Sequence, residues 1–240
     1  MAGRTDYDGL VMNQTLAAVE TTDCHVTLLL PKLYRYAGTA VLGDGVGTTR
    51  RIVNLKVREN FAGSGAEWPS PEETINAYGE KRGWSEESIG MLTSASMNSY
   101  AASVHCEGLL TVEAHLTAGL SNARAAGDTA EYRIIGDQRP AGGTINTILV
   151  VHHPMELSAA LELLMICAGA KARSLAEAGI RSRVSDASAT GTGTDSTVVL
   201  YRLPIGVESA IRYAGMHTLV GELAAKSIMD AMKQSLKISD

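Results

Sequence analysis

Residues 143–153, GTINTILVVHH, read as a strand, and a long helix follows them from about Ser158 to Ala178. In that helix Leu161, Leu164, Met165, Ala168, Ala172 and Leu175 recur at helical spacing, and Gly179 stands where a C′ glycine belongs. An apolar helix stripe and an apolar strand face each need a partner, so this tail calls for helices layered on a sheet. Upstream, residues 25–30 and 36–43 read as strands around a break at Pro31, and 50–57 and 102–120 as further strands. Ser70, Pro71 and two glutamates announce a helix that Gly83 ends. Residues 189–203 form another strand, and Thr218 caps a last helix that runs to about Leu236. The fold class is therefore α+β: a single layered domain over residues 1–240, its mixed or antiparallel sheet packed with helices. Two stacked sheets flanked by helices are the alternative. Residues 1–23 read as a loose leader, and no linker marks a split near residue 85.

Composition excludes several functions. The net charge is −5, and Lys and Arg form no dense run. Nucleic acid and membrane surfaces, which need clustered positive charge, are disfavoured. One Phe and two Trp count against a base-stacking platform. Cys24, Cys106 and Cys167 are far apart and lack CxxC spacing, so buried free thiols in a reducing compartment are expected. With no signal pattern and no bilayer-length apolar run, a cytoplasmic location is the default.

The segment ATGTGTD, residues 189–195, poses the main functional question. It lacks the lysine of a Walker A loop: Thr194 follows Gly193. It also lacks the third glycine of a dinucleotide fingerprint, where Ser196 stands, and TVVLYRL behind it looks like strand. As a continuous strand it would put Thr190, Thr192, Thr194 and Ser196 on one face and Gly191, Gly193 and Asp195 on the other. Asp195 would then sit beside a floor without side chains, fit for close approach of a ligand. Alternatively the threonines are ordinary strand formers and Asp195 a turn residue.

Other polar groups are candidates. Asn122 and Asp128 lie in the loop GLSNARAAGDT, where an amide can donate to an oxyanion and a carboxylate can orient a base. They are also ordinary turn residues. His152 and His153 should point to opposite faces, and no spaced cluster supports a metal site. His25, His105 and His115 fit core or surface positions better than catalytic ones. His217 precedes the helix start at Thr218, where free N–H groups favour an oxyanion and keep an imidazole neutral, and Glu222 falls one turn later. A plain capping segment is the alternative.

Together GDGVGTTRRIVNLKV, MLTSASM, GLSNARAAGD, GTINTILVV, ATGTGTD and YAGMHTLVGEL resemble the adenosylcobinamide amidohydrolase (CbiZ) family, in order and spacing, over roughly residues 28–230. SNARAAGD, GTIN and ATGTGTD are the most specific. The resemblance implies corrinoid salvage: hydrolysis of the amide joining aminopropanol to the corrin ring, giving adenosylcobyric acid and 1-aminopropan-2-ol. The family pattern covers Asn54, Asn122, Gly127, Asp128, Thr144, Asn146, residues 190–195, Gly215, His217, Thr218, Gly221 and Glu222. Two departures stand out: His152–His153 where an Asp or Asn is expected, and GDGVGTT where an NGG-like run is expected.

Amide hydrolysis needs an attacking oxygen, a base, an oxyanion stabiliser and an acid for the amine. The expected assignment has His217 as base and acid, with Asp195 or Asp128 orienting it or holding the water directly, and with Asn122 and backbone N–H groups near Gly193 or Thr218 on the oxyanion. Thr192 or Thr194 could attack covalently, though direct attack by water is preferred. Asn54, Asn146, Thr190, Gly191, Thr192, Gly193, Thr218 and Glu222 are the expected substrate contacts. No protein-bound cofactor or metal is expected, since the cobalt belongs to the substrate. A homodimer is an open expectation. Alternatives are a corrinoid carrier or sensor and a nucleotide-dependent transferase.

Overall fold

The computed structural model describes residues 16–57, 69–84, 88–131, 143–204, 206 and 209–238. Among the described residues ten strands and three α-helices follow one another in the order β1 (Ala18–Thr21), β2 (His25–Gly38), β3 (Val46–Lys56), α1 (Pro71–Lys81), β4 (Ser88–Thr93), β5 (Ala101–Glu107), β6 (Leu110–Ala118), β7 (Ala123–Arg124), β8 (Ile145–Pro154), α2 (Leu157–Glu177), β9 (Gly191–Thr192), β10 (Ser196–Arg202) and α3 (Leu219–Ile238), with a short 3-10 turn at Met97–Ser99. The main sheet runs β4-β3-β2-β10-β8-β6-β5, with β1 added to β2. Its pairings are antiparallel except β3–β4 and β8–β10, so the sheet is mixed and the fold is α+β. β3 and β4, which lie on either side of α1 in the chain, pair in parallel within this sheet.

Local signals explain most elements. Ser70 accepts from the Glu73 amide while Glu73 accepts from the Ser70 amide, a reciprocal cap worth about 1 kcal/mol. Pro31 does not split a strand in two. It lies inside β2, where the register with β3 shifts between Leu29 and Tyr34, and an irregularity of this kind tolerates a proline. The 102–120 stretch is not one strand but the β5–β6 hairpin, turned at Gly108 with φ +58°.

Alternation sends the two sheet faces to different partners. Val112, Ala114, Leu149, Val151, Val199 and Tyr201 face α2 and α3. At the far edge Val53 and Leu55 meet Ile75 of α1 on the same side. The expected α2 stripe holds at Leu175, which is buried, and at Leu164, which packs against the core, and is otherwise corrected. Leu161 and Met165 are exposed, whereas Ala159, Ala160, Leu163, Ile166, Cys167 and Ala170 are buried. Small residues let α2 lie close to the sheet, and a helix apolar on several sides does not reveal its inner face by periodicity. Cys24 is a second correction: it is exposed, Cys106 is half-buried and only Cys167 is buried. Burial pushes the Cys167 thiol up to about 12. No helix among the described residues is long and apolar enough to cross a membrane.

On the face opposite α2 and α3 a charged group, Glu113, is fully buried. Glu113 of β6 takes His152 Nε2 at 2.7 Å and His115 Nε2 at 3.0 Å, one on each carboxylate oxygen. Tyr34 and Tyr100 extend the chain, their hydroxyls 2.7 and 2.9 Å from the histidine Nδ1 atoms. The Leu16 N–H also donates to Glu113, Ala17 is buried, and β1 pairs with β2. Residues 16–21 are therefore part of the fold and not a loose leader, while residues 1–15 lie outside the described residues. Burial alone would raise the Glu113 pKa, but the hydrogen bonds and charges of the two histidines outweigh it and hold the carboxyl at about 2.

A folded-state pKa below the unfolded one means that Glu113 adds stability above pH ~4.5, and that this is lost as pH falls toward 2. The Glu113→Ala variant should lose about 3–5 kcal/mol of unfolding free energy in urea at neutral pH. With Glu113→Gln, the stability gap to the native protein should narrow as pH is lowered from 4.5 to 2, and a constant gap would contradict the ionised form.

Candidate active site

The polar groups that converge lie at one end of the sheet, where β8 and β10 begin side by side and β6 ends. Residues 189–195 are not a continuous strand there. β9 takes only Gly191 and Thr192, pairs with β7, and a turn through Gly193 and Thr194 leads into β10. Since β10 follows directly, no helix N-terminus stands behind the glycines to cradle a phosphate, and the nucleotide reading loses its geometry.

Asp195 sits at the centre. One oxygen accepts the Ile145 N–H at 2.9 Å and the Thr192 hydroxyl; the other accepts the Thr192 N–H at 3.1 Å and the Lys171 ammonium from α2. The carboxylate is thus committed to four donors. It holds the start of β8, the β9 turn and α2 together, which is a positioning role and leaves it no open place as a base.

Gly191 and Gly193 are not the expected bare floor. A Cβ on Gly191 would come within 2.5 Å of Asp195 Oδ2, and one on Gly193 within 2.5 Å of Asn122 Nδ2. The glycines make room for the protein's own carboxylate and amide. Asn122 Oδ1 accepts from Arg124 Nε at 3.2 Å, which turns Nδ2 toward Gly193 as a donor.

Beside Asn122 lies the Gly143–Thr144 peptide. Thr194 donates its hydroxyl proton to the Gly143 carbonyl at 2.9 Å, and the Thr144 and Thr194 hydroxyl oxygens are 2.5 Å apart. A hydroxyl has one proton, so Thr144 must be the donor of that pair. Gly143 has φ +87°, and a Cβ there would meet Ser121 Oγ and the Asn122 amide nitrogen at 2.6 Å. Only glycine fits. Gly143 and Ser121 also line a cleft of about 990 Å³ between the 94–99 segment and the C-terminal ends of α2 and α3.

The remaining candidates divide. Asp128 ties two loops: it accepts from the Ala125 N–H, Ser182 and Ser185. The two serine hydroxyls and that amide hold its carboxyl below the usual range. Thr190 accepts from the Ala126 N–H, a loop contact. Asn54 and Asn146 are buried, at 2% and 0% exposure, in a ladder: Asn146 donates to Asn54 Oδ1 and the Leu92 carbonyl, and Asn54 donates to Thr117. They support the strands beneath the site and do not line a surface. His152 and His153 belong to the Glu113 network and to a half-buried edge. Among the described residues no group of His, Cys, Asp and Glu could hold a metal ion.

His217, Thr218 and Glu222 are not brought to this end, which corrects the expected base. Asp195 grips the first residue of β8, whereas the chain leading to His217 bridges Met155, just past its last residue. Ten residues of strand put about 30 Å between those points. Thr218 caps α3 by accepting from the Gly221 N–H, Glu222 pairs with Lys226, and His217 is exposed. Sequence reasoning missed Lys171, hidden in an apolar helix, and gave Thr144 no role. Its place between a glycine and a strand was the available signal.

The Asp195→Ala variant leaves Lys171 and the Ile145 N–H without their partner. Its unfolding free energy should drop by about 3–5 kcal/mol in urea titration, against at most about 1 kcal/mol for the exposed pair in Glu222→Ala.

Comparison with known proteins places this geometry in a family. The family model for adenosylcobinamide amidohydrolases (CbiZ) matches residues 11–239. An adenosylcobinamide amidohydrolase of Methanosarcina mazei is 28% identical over 218 residues, covering 88% of this chain and 94% of that protein. The uncharacterized protein MJ1613 of Methanocaldococcus jannaschii is 30% identical over 179 residues, 68% of this chain and 67% of that one. Two solved structures align with a TM-score of 0.43. PH0078 of Pyrococcus horikoshii is 12% identical, covering 95% of this chain and 83% of that one. The L-aminopeptidase D-Ala-esterase/amidase of Ochrobactrum anthropi is 9% identical, covering 93% and 83%. With the family model spanning nearly its whole length, the chain belongs to the adenosylcobinamide amidohydrolases, hydrolases of an amide carbon–nitrogen bond.

Proposed function

We propose that the chain hydrolyses the amide between aminopropanol and the corrin ring of adenosylcobinamide, releasing adenosylcobyric acid and 1-aminopropan-2-ol. The observation that carries this reading is the meeting of Thr144, Thr194 and Asn122 beside a large cleft. The cleft's volume lies at the top of the range for small-molecule sites, which suits a macrocycle better than a simple amide. Ala95, Leu120 and Met229 give it apolar wall, and Ser94, Asn98 and Ser121 give it polar groups for a ligand fringed with amides.

The attacking oxygen comes from the threonine pair, with Thr144 donating its proton into Thr194. Asn122 Nδ2 is the side-chain donor for the oxyanion. Asp195 and Lys171 hold the β8 start and the β9 turn so that these groups keep their spacing. His217 has no part in this mechanism.

The test is incubation with adenosylcobinamide, with and without a chelator, and detection of adenosylcobyric acid by mass spectrometry. Product should form in both arms. Asn122→Ala should lower kcat by about 10²-fold or more, and His217→Ala should keep it. Tight corrinoid binding without product would instead mark a carrier, and an unimpaired Asn122→Ala enzyme would remove the oxyanion assignment.

A further inference from the structure

We propose that the protein cuts its own backbone between Gly143 and Thr144, and that the freed Thr144 amine becomes the base for the Thr144 hydroxyl. The second half rests on the hydrolase reading above; the cut itself does not.

The peptide is prepared for attack. Its carbonyl oxygen already accepts a proton donor, Thr194, at 2.9 Å. The Thr144 hydroxyl, on the residue that supplies the peptide nitrogen, is linked to the same Thr194 oxygen at 2.5 Å. A relay therefore runs from the would-be nucleophile through Thr194 to the carbonyl it would attack. The surroundings hold both sides of the bond. The Gly143 N–H donates to Ser94, the Thr144 carbonyl accepts from the Gly119 N–H at 3.0 Å, and the next amide is gripped by Asp195. Gly143 has no side chain to block approach, and none could be fitted.

The steps balance. Thr144 Oγ1 bonds to the Gly143 carbonyl carbon, and its proton passes through Thr194 to the carbonyl oxygen. The carbon–nitrogen bond breaks and the nitrogen takes a proton, leaving an ester. One water then hydrolyses the ester to a Gly143 carboxylate and a free Thr144 with its hydroxyl restored. No other reactant is needed.

The cut answers a shortage at the site. The Asp195 carboxylate is saturated, Lys171 is paired to it, and no hydrogen bond or ion pair among the described residues ties a histidine to the cluster. A threonine hydroxyl attacks only with a base beside it, and an α-amine with its ordinary pKa of about 8 is such a base on the same residue. The uncut Gly143 carbonyl also occupies Thr194, where a substrate carbonyl would bind. Cleavage lets it leave.

Intact-mass spectrometry of the purified full chain should find two polypeptides, one ending at Gly143 and one beginning at Thr144. Thr144→Ser should also be cut, and Thr144→Val, which replaces the hydroxyl with a methyl of like shape, should remain one chain. Thr194→Val should slow the cut by at least tenfold. Circular dichroism melts establish that the variants fold; should Thr144→Val fail to fold, the Thr194→Val rate decides. A single native chain with full hydrolysis of adenosylcobinamide would overturn the proposal and leave the hydrolase reading standing. A cut Thr144→Val chain would also overturn it, since another protease would be responsible. A cut native chain without corrinoid product would uphold the self-cleavage and defeat the hydrolase reading.

Discussion

The architecture at the candidate-site end of the sheet depends on one carboxylate. Asp195 collects donors from the first amide of β8, from the β9 turn and from α2, three pieces distant in sequence. Charge-assisted bonds of this kind are stronger and more directional than neutral ones. They are also half-buried, so water competes poorly for the same oxygens. The spacing of Thr144 and Thr194 follows, since each lies within a few residues of a point that Asp195 holds, and Asn122 joins them through its carbonyl, which accepts the Gly193 N–H at 3.2 Å. In the proposed reaction the carboxylate acts through placement.

Much of the fold was legible in the residues. Ser70, Pro71 and Glu73 wrote a helix start that the structure reproduces bond for bond, and Gly179 closed α2 at φ +69° as a C′ glycine should. The strands that became β2, β3, β8 and β10 also came through, because alternating apolar residues need only one buried neighbour to make sense, while β1 and β4 were missed. What failed was punctuation inside apolar runs. Gly108 turned a presumed strand into a hairpin, and Pro31 bent a strand without ending it. Both outcomes depend on which neighbour strand is present, which is not local information.

The site was half legible, for a related reason. Asp195, Asn122, Thr192 and Thr194 stood in short segments that the sheet brings to the same end. His217 did not, although the helix start after it is real. Motifs that co-occur in a chain need not meet in space, and here the length of β8 separates them. The glycines of ATGTGTD show the subtler error. Absence of side chains looked like space for a ligand, but the space is taken by other residues of the same protein. Lys171 could not be found from pattern at all: a cation buried in an apolar helix acquires meaning only from the anion opposite it.

Helix α2 has a consequence for how the molecule meets water. Its buried side mixes Ala159, Ala160 and Ala170 with Leu163, Ile166, Cys167 and Leu175, while Leu157, Leu161 and Met165 point outward, spaced so that they form a ridge along the axis. That ridge leaves oily surface in solvent. Making that ridge more polar is a route to higher solubility that leaves the interior contacts of α2 as they are.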